Sequence, residues 1–177
     1  MPDIHTLWFH DDGEIPNNPR CPVMVYKGAV PVTGLPDPAL PFERLFATNG
    51  WAGGWRNGIY AYRHFHASSH EVLGIARGAA RVEIGGARGT VLDVSAGDVV
   101  VLPAGIGHRR VEATADLLVV GAYPAGSRVD QNRPGERDHG ELLAAVAGTG
   151  LPASDPVHGP DGPLMRAWRA TPQEKPS

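Results

Sequence analysis

Cysteine is almost absent from this chain of 177 residues. Cys21 stands alone, so no disulfide can form within the chain. That excludes a small disulfide-stapled scaffold and fits a reducing, cytoplasmic setting. A chain of this length buries about two-thirds of its unfolded surface and needs no staples. Long apolar runs are missing too. None approaches the roughly 20 residues that span a bilayer, and Met1 to Asp12 has no apolar stretch behind a basic start. Neither a membrane span nor a signal peptide is expected. Positive charge is sparse: Arg109-Arg110 is a single pair and the formal net charge is −3. A nucleic-acid partner is therefore not expected, and a single short N-terminal helix is too little for a helix-turn-helix reader. There is no internal repeat.

Glycine and proline, by contrast, are abundant at 23 and 17 residues, set between short apolar runs. This punctuation predicts short strands joined by tight turns. Candidate strands are Ile4 to Phe9, Val23 to Tyr26, Ile59 to His66, Glu71 to Arg77, Ala80 to Ile84, Gly89 to Val94, Val99 to Leu102, Arg109 to Ala113 and Leu117 to Tyr123. Gly85-Gly86 marks a hairpin turn. It is no phosphate loop, because no helix follows it. Asp37-Pro38 starts a helix over roughly residues 38 to 48, which Asn49-Gly50 stops. A second helix is expected over Glu141 to Ala147, with Leu164 and Trp168 docking the tail and Gln173 to Ser177 disordered. The chain divides into an N-terminal extension (1–57), a strand-rich core (58–123) and an irregular C-terminal extension (124–177). The fold class is mainly β, with a single barrel or sandwich.

Chemistry concentrates in two stretches: Gly58, His64-Phe65-His66, Glu71, Gly78; and Gly97, Pro103, Gly105, His108. Side chains alternate along a strand, so His64 and His66 project in parallel, together with Tyr60 and Tyr62. If Glu71 faces them, His70 takes the opposite face, at the rim or behind the ligands. His108 must arrive from a distant strand, in phase with Arg110 and Glu112. Three imidazoles and one carboxylate suit a divalent cation of iron, manganese, nickel, copper or zinc without selecting among them. Tyr60, Tyr62 and Arg110 are the candidate catalytic groups, more simply read as pocket wall and as an Arg110–Glu112 ion pair. His5, His10, His139 and His158 lack partners at ligand spacing and are read as surface residues. Trp51, Trp55 and Trp168 are read as packing of the extensions, and Cys21 is given no role.

The spacings Gly58-x5-His64-x-His66-x4-Glu71-x6-Gly78 and Gly97-x5-Pro103-x-Gly105-x2-His108 resemble the two motifs of the cupin superfamily. Glu112 stands where that pattern usually closes with an asparagine. A narrower resemblance, carried by Trp55 to Tyr60, His70 to Gly74 and Leu102 to His108, is to the YjlB-like single-domain bacterial cupins. It implies a double-stranded β-helix, jelly-roll-like barrel with metal ligands His64, His66, Glu71 and His108. An N-terminal strand pairing with a neighbouring barrel is common in such proteins, so Ile4 to Phe9 could form a homodimer. Four ligands on a cation that prefers six leave two open positions. The summed charge near +1 favours a small anionic molecule as ligand. A metal-dependent dioxygenase is the leading reading. A metal-dependent isomerase or lyase of a sugar or keto acid and a non-catalytic small-molecule-binding cupin are the alternatives.

Overall fold

The computed structural model describes residues 3–170; the expected disorder of Gln173 to Ser177 lies outside them. In chain order the elements are β1 (Asp3–Phe9), β2 (Asn18–Lys27), α1 (Leu40–Thr48), β3 (Trp51–Asn57), β4 (Glu71–Arg77), β5 (Ala79–Ile84), β6 (Thr90–Ser95), β7 (Val99–Leu102), β8 (His108–Ala113), β9 (Leu118–Pro124), α2 (His139–Gly148) and α3 (Pro163–Ala170). Two antiparallel sheets result, ordered β1-β2-β7-β4-β9-β3 and β6-β5-β8. They face each other as a jelly-roll-like sandwich and do not close into one continuous barrel.

The large sheet is covered on both faces, which explains the near-continuous apolar runs of β4 and β7. Leu73 and Ile75 of β4 pack inward with Val100 and Leu102 against Val82, Ile84 and Val94 of the small sheet. Val72 and Ala76 face the other way, with Met24, Val99 and Val101, onto Phe42 and Phe46 of α1 and Leu164, Met165 and Trp168 of α3. Gly74 permits this contact: a Cβ there would lie 2.3 Å from the Phe42 ring. A third cluster joins Leu142 and Val146 of α2 to Phe65, Ala67 and Ile15.

Several expectations need correction. Residues 59–66 do not form a strand. Consecutive residues pair with different partners, His64 with His108 and Phe65 with Asn132, so no ladder can run along the segment. The strand lies earlier, in β3, where Gly53 and Gly54 weaken the sequence signal and the register with β9 shifts between Ala52 and Trp55. The C-terminal extension is irregular between its helices, as expected, but it carries a second helix, α3, that was not expected, and it is tied down by hydrogen bonds. Buried Asp155 accepts from the Tyr26 hydroxyl (2.6 Å) and from the amides of Val157, His158 and Leu164. The Trp51 and Trp168 indoles donate to Ser154 and Pro22 carbonyls. The helix near residue 40 begins two residues late, because Asp37 turns the chain by accepting the Ala39 amide. No described helix is long and apolar enough to cross a membrane.

Candidate metal centre

His64 and His108 meet through their main chains. Each amide donates to the other's carbonyl, at 3.2 and 3.0 Å. The residues beside them are clamped as well. Arg63 and Arg109 both grip Glu83 on β5, with Nε–oxygen distances of 2.6 and 3.1 Å. Arg63 foremost holds the Glu83 carboxyl below its ordinary range. His66 is fixed by its carbonyl, which accepts the Gly105 amide at 2.7 Å. Glu71 opens β4 opposite Leu102, on the inward face with Leu73.

Each of the three rings uses Nδ1 on a backbone carbonyl: His64 on Tyr62 (3.1 Å), His108 on Ile106 (3.1 Å) and His66 on Asp130. A carbonyl only accepts, so each Nδ1 carries the proton and each neutral ring leaves the Nε2 lone pair bare. One nitrogen from each ring lies within 4.8 Å of the others. Glu71 Oε2 lies 2.9 Å from His66 Nε2 and 3.5 Å from His108 Nε2, yet neither contact is aligned as a hydrogen bond and this buried oxygen has no such partner. Ligand atoms 2.0–2.2 Å from a shared cation stand roughly 3 to 3.5 Å apart. The three imidazoles are thus a candidate set for a divalent metal, and the orphaned Glu71 oxygen stands at ligand spacing from two of them.

The electrostatics agree. Burial, and next the charge of His108, depress His64 to about 3, so it stays neutral. Burial opposes charge on His66, but the Glu71 carboxylate and the Asp130 carbonyl outweigh it and raise its pKa. Burial likewise opposes charge on Glu71, and contacts with His108 and His66 overcome it to lower its pKa. Burial first, and Glu71's charge second, push the Tyr123 phenol up to about 12.

The three histidines and Glu71 line a cavity of about 290 Å³, shared with Trp55, Ile59, Tyr60, Leu73, Tyr123 and Gln131. Tyr60 stands at the mouth, 47% exposed. Tyr62 stacks behind it at 4.8 Å between ring centroids, under the Arg133 guanidinium, with its hydroxyl accepting from Gln131. Arg110 is exposed and lines a separate shallow hollow with residues 57–61. The Arg110–Glu112 pair does not form. The β5–β8 register shifts between Arg81 and Val82, which breaks the phase between 110 and 112, and Glu112 reaches Arg81 instead. Trp55 packs β3 onto the inner core, as expected, and also forms part of the cavity wall.

His70 faces away from the ligands, as alternation requires, but it is buried rather than at a rim. Nδ1 accepts the Ala104 amide (3.0 Å), Nε2 donates to Gly150 (2.8 Å), and the ring packs on Trp168. His70→Ala should keep its metal and lose about 2–4 kcal/mol of stability, through a cavity and an unpaired amide. Burial lowers the folded pKa of His70 to about 4, against about 6.5 unfolded. Between these values the unfolded chain binds the extra proton, so His70's contribution is complete above the higher value and is lost as pH falls toward the lower one. The stability gap between wild type and His70→Ala, measured by urea unfolding without metal, should shrink by about 2 kcal/mol from pH 7.5 to 5. A gap that is constant with pH, or loss of metal in the variant, would refute this placement.

Asp130, Glu83, Tyr123 and Gln131 were not singled out from sequence, and Trp55 was read only as packing. Asp130 acts on His66 through its main chain, which leaves no residue signal. The arginines flanking His64 and His108 could have pointed to a shared acid such as Glu83.

No protein-family model matches the chain. A curated relative, the uncharacterized protein YjlB of Bacillus subtilis (strain 168), is 38% identical over 168 residues, covering 94% of this chain and 97% of that one. Among solved structures, acireductone dioxygenase from Bacillus anthracis with a cadmium ion is 16% identical over 50% of this chain and 60% of that one, with a TM-score of 0.36. An oxalate decarboxylase variant from Bacillus subtilis is 19% identical over 70% and 30%, with a TM-score of 0.38. Procruciferin, an 11S globulin from Brassica napus, is 14% identical over 75% and 27%, with a TM-score of 0.37. The chain spans about a third or less of the decarboxylase and globulin chains that it matches.

Proposed function

The chain belongs to the YjlB-like cupins, and from that premise we propose that it is a divalent-metal-binding cupin acting on a small anionic molecule, as a metal-dependent dioxygenase. One observation carries this reading. Three buried histidines bring bare Nε2 atoms together at the wall of a small cavity, two of them, His66 and His108, against an unpartnered carboxylate oxygen of Glu71.

His64, His66, Glu71 and His108 would hold the metal. When bound, an iron or manganese ion supplies Lewis acidity and a place for dioxygen beside the substrate. The protein's own groups do the rest. The Nδ1–H donors hold the rings in one tautomer and orientation. Three neutral imidazoles and one carboxylate leave the loaded site near +1, which favours an anion. Arg56 does not add to that charge in the cavity, because Asp37 and Glu43 already bind its guanidinium. Trp55, Ile59 and Leu73 supply an apolar wall that keeps water from the bound molecule. At about 290 Å³, the cavity is at the small end of ligand pockets and suits a compact substrate.

Elemental analysis of protein purified without added metal should find one transition metal per chain. The iron-loaded protein should consume oxygen with a small hydroxy acid or enediol from a substrate panel. Turnover of such a compound under argon would replace the dioxygenase with an isomerase or lyase. Tight binding with the ligand returned unchanged would leave a binding protein. Absence of metal under every loading condition would end the proposal.

A further inference from the structure

We propose that Tyr123 is the hydrogen-bond donor for an oxygen of the anion held at the metal centre, so that the ligand carries a second oxygen acceptor away from the metal. This rests on the metal-binding reading above. Tyr123 lies on β9 and lines the same cavity as the four ligands. Its ring meets His66 edge-on, with centroids 5.8 Å apart. The Trp55 indole N–H donates to its hydroxyl oxygen at 3.0 Å. That bond fixes where the oxygen sits and occupies one of its acceptor positions. Among the described residues no group accepts the phenol's own proton, which is left for a ligand.

The pair is seated by the backbone beneath it. Trp55 pairs with Gly121 across β3 and β9, and a Cβ on Gly121 would lie 2.1 Å from the indole. Only a bare backbone lets Trp55 lie flat there and reach Tyr123, two residues further along β9. The other two tyrosines near the site differ. Tyr62 is not among the residues that line the cavity, and Tyr60 stands at the open mouth. Tyr123 therefore combines a pinned oxygen, an unspent proton and a place beside the metal ligands. The ligand class that uses both groups is a small α-hydroxy acid or enediolate, with its apolar part against Trp55 and Leu73.

The test loads wild type, Tyr123→Phe and Trp55→Phe with cobalt(II) and follows its visible spectrum. Two probes are titrated: glycolate, an α-hydroxy acid, and imidazole, a neutral nitrogen donor with no oxygen. Tyr123→Phe should hold one cobalt as wild type does and bind glycolate about 5- to 10-fold more weakly, the effect of one hydrogen bond. Imidazole affinity should stay within about twofold, and Trp55→Phe should lose part of the glycolate affinity. Equal glycolate affinity in wild type and Tyr123→Phe, or equal losses for both probes, would overturn the role of Tyr123. Wild type that holds cobalt and ignores glycolate would overturn both the donor role and the ligand class. Wild type that takes no cobalt would instead sink the metal reading beneath it.

Discussion

His64→Ala and His108→Ala should each yield a folded protein that retains almost no metal after dialysis, with affinity reduced by more than about 100-fold. Even loss of a group that only orients a ligand costs 10- to 100-fold, and these variants remove a ligand outright. The fold should stand because the two residues are joined through their main chains, by reciprocal amide–carbonyl bonds that an alanine also makes. Each imidazole faces an existing cavity, so truncation opens little new void. Acid should mimic the substitutions in the wild type, and the raised pKa of His66 makes that ring one site of the competing proton. Its pKa is raised beside Glu71, whereas His64 is depressed to about 3. The metal competes with a proton on His66, so occupancy should be complete well above the ordinary histidine value of about 6.5 and fall as pH drops through the raised value. Metal per chain after dialysis at pH 8.5 and 5.5 measures this. Unchanged stoichiometry in both alanine variants, or occupancy that persists to pH 4 in the wild type, would defeat the ligand assignment.

How far the sequence revealed this site depended on whether local or tertiary hydrogen bonding sets each piece. The alternation of Glu71, Leu73 and Ile75 against Val72 and Ala76 is a local property of β4, and it is visible as written. The same alternation turns His70 away from Glu71, toward Ala104, Gly150 and Trp168. It failed for residues 59 to 66, where the bonds go to His108 and Asn132 instead of a neighbouring strand. His64 and His66 still converge, but because their Nδ1 atoms are caught by the carbonyls of Tyr62 and Asp130. Glycines hid β3, since a strand pattern needs side chains to read. With β3 hidden, Trp55 was separated from the cavity it lines. An Arg110–Glu112 pair follows only if phase is counted straight through the register shift that lies between those two residues.

Glu83→Ala should weaken metal binding about 10- to 100-fold, although Glu83 is no ligand, and should cost about 1–3 kcal/mol of stability. Its carboxylate is the common acceptor for Arg63 and Arg109, each next in sequence to a ligand histidine. Removing it leaves two guanidinium groups side by side with no counter-charge. Breaking a buried ion pair costs about 3–5 kcal/mol, and the arginines, about one-third exposed, recover part of that from water. The two histidines should not suffer equally. His108 remains in the β5–β8 ladder opposite Ile84, whereas His64 has only an isolated bridge and lies outside any strand. His64 should therefore loosen more. Nuclear magnetic resonance of the metal-free variant should show its ring signals broadened or shifted, with those of His108 nearly in place. At saturating zinc the variant should still bind one ion, because all four ligands remain. A zinc titration showing lower affinity at unchanged stoichiometry separates a clamp that positions ligands from general damage. Reduced stability with zinc affinity within about twofold of wild type would show that Glu83 supports the fold and does not position the site.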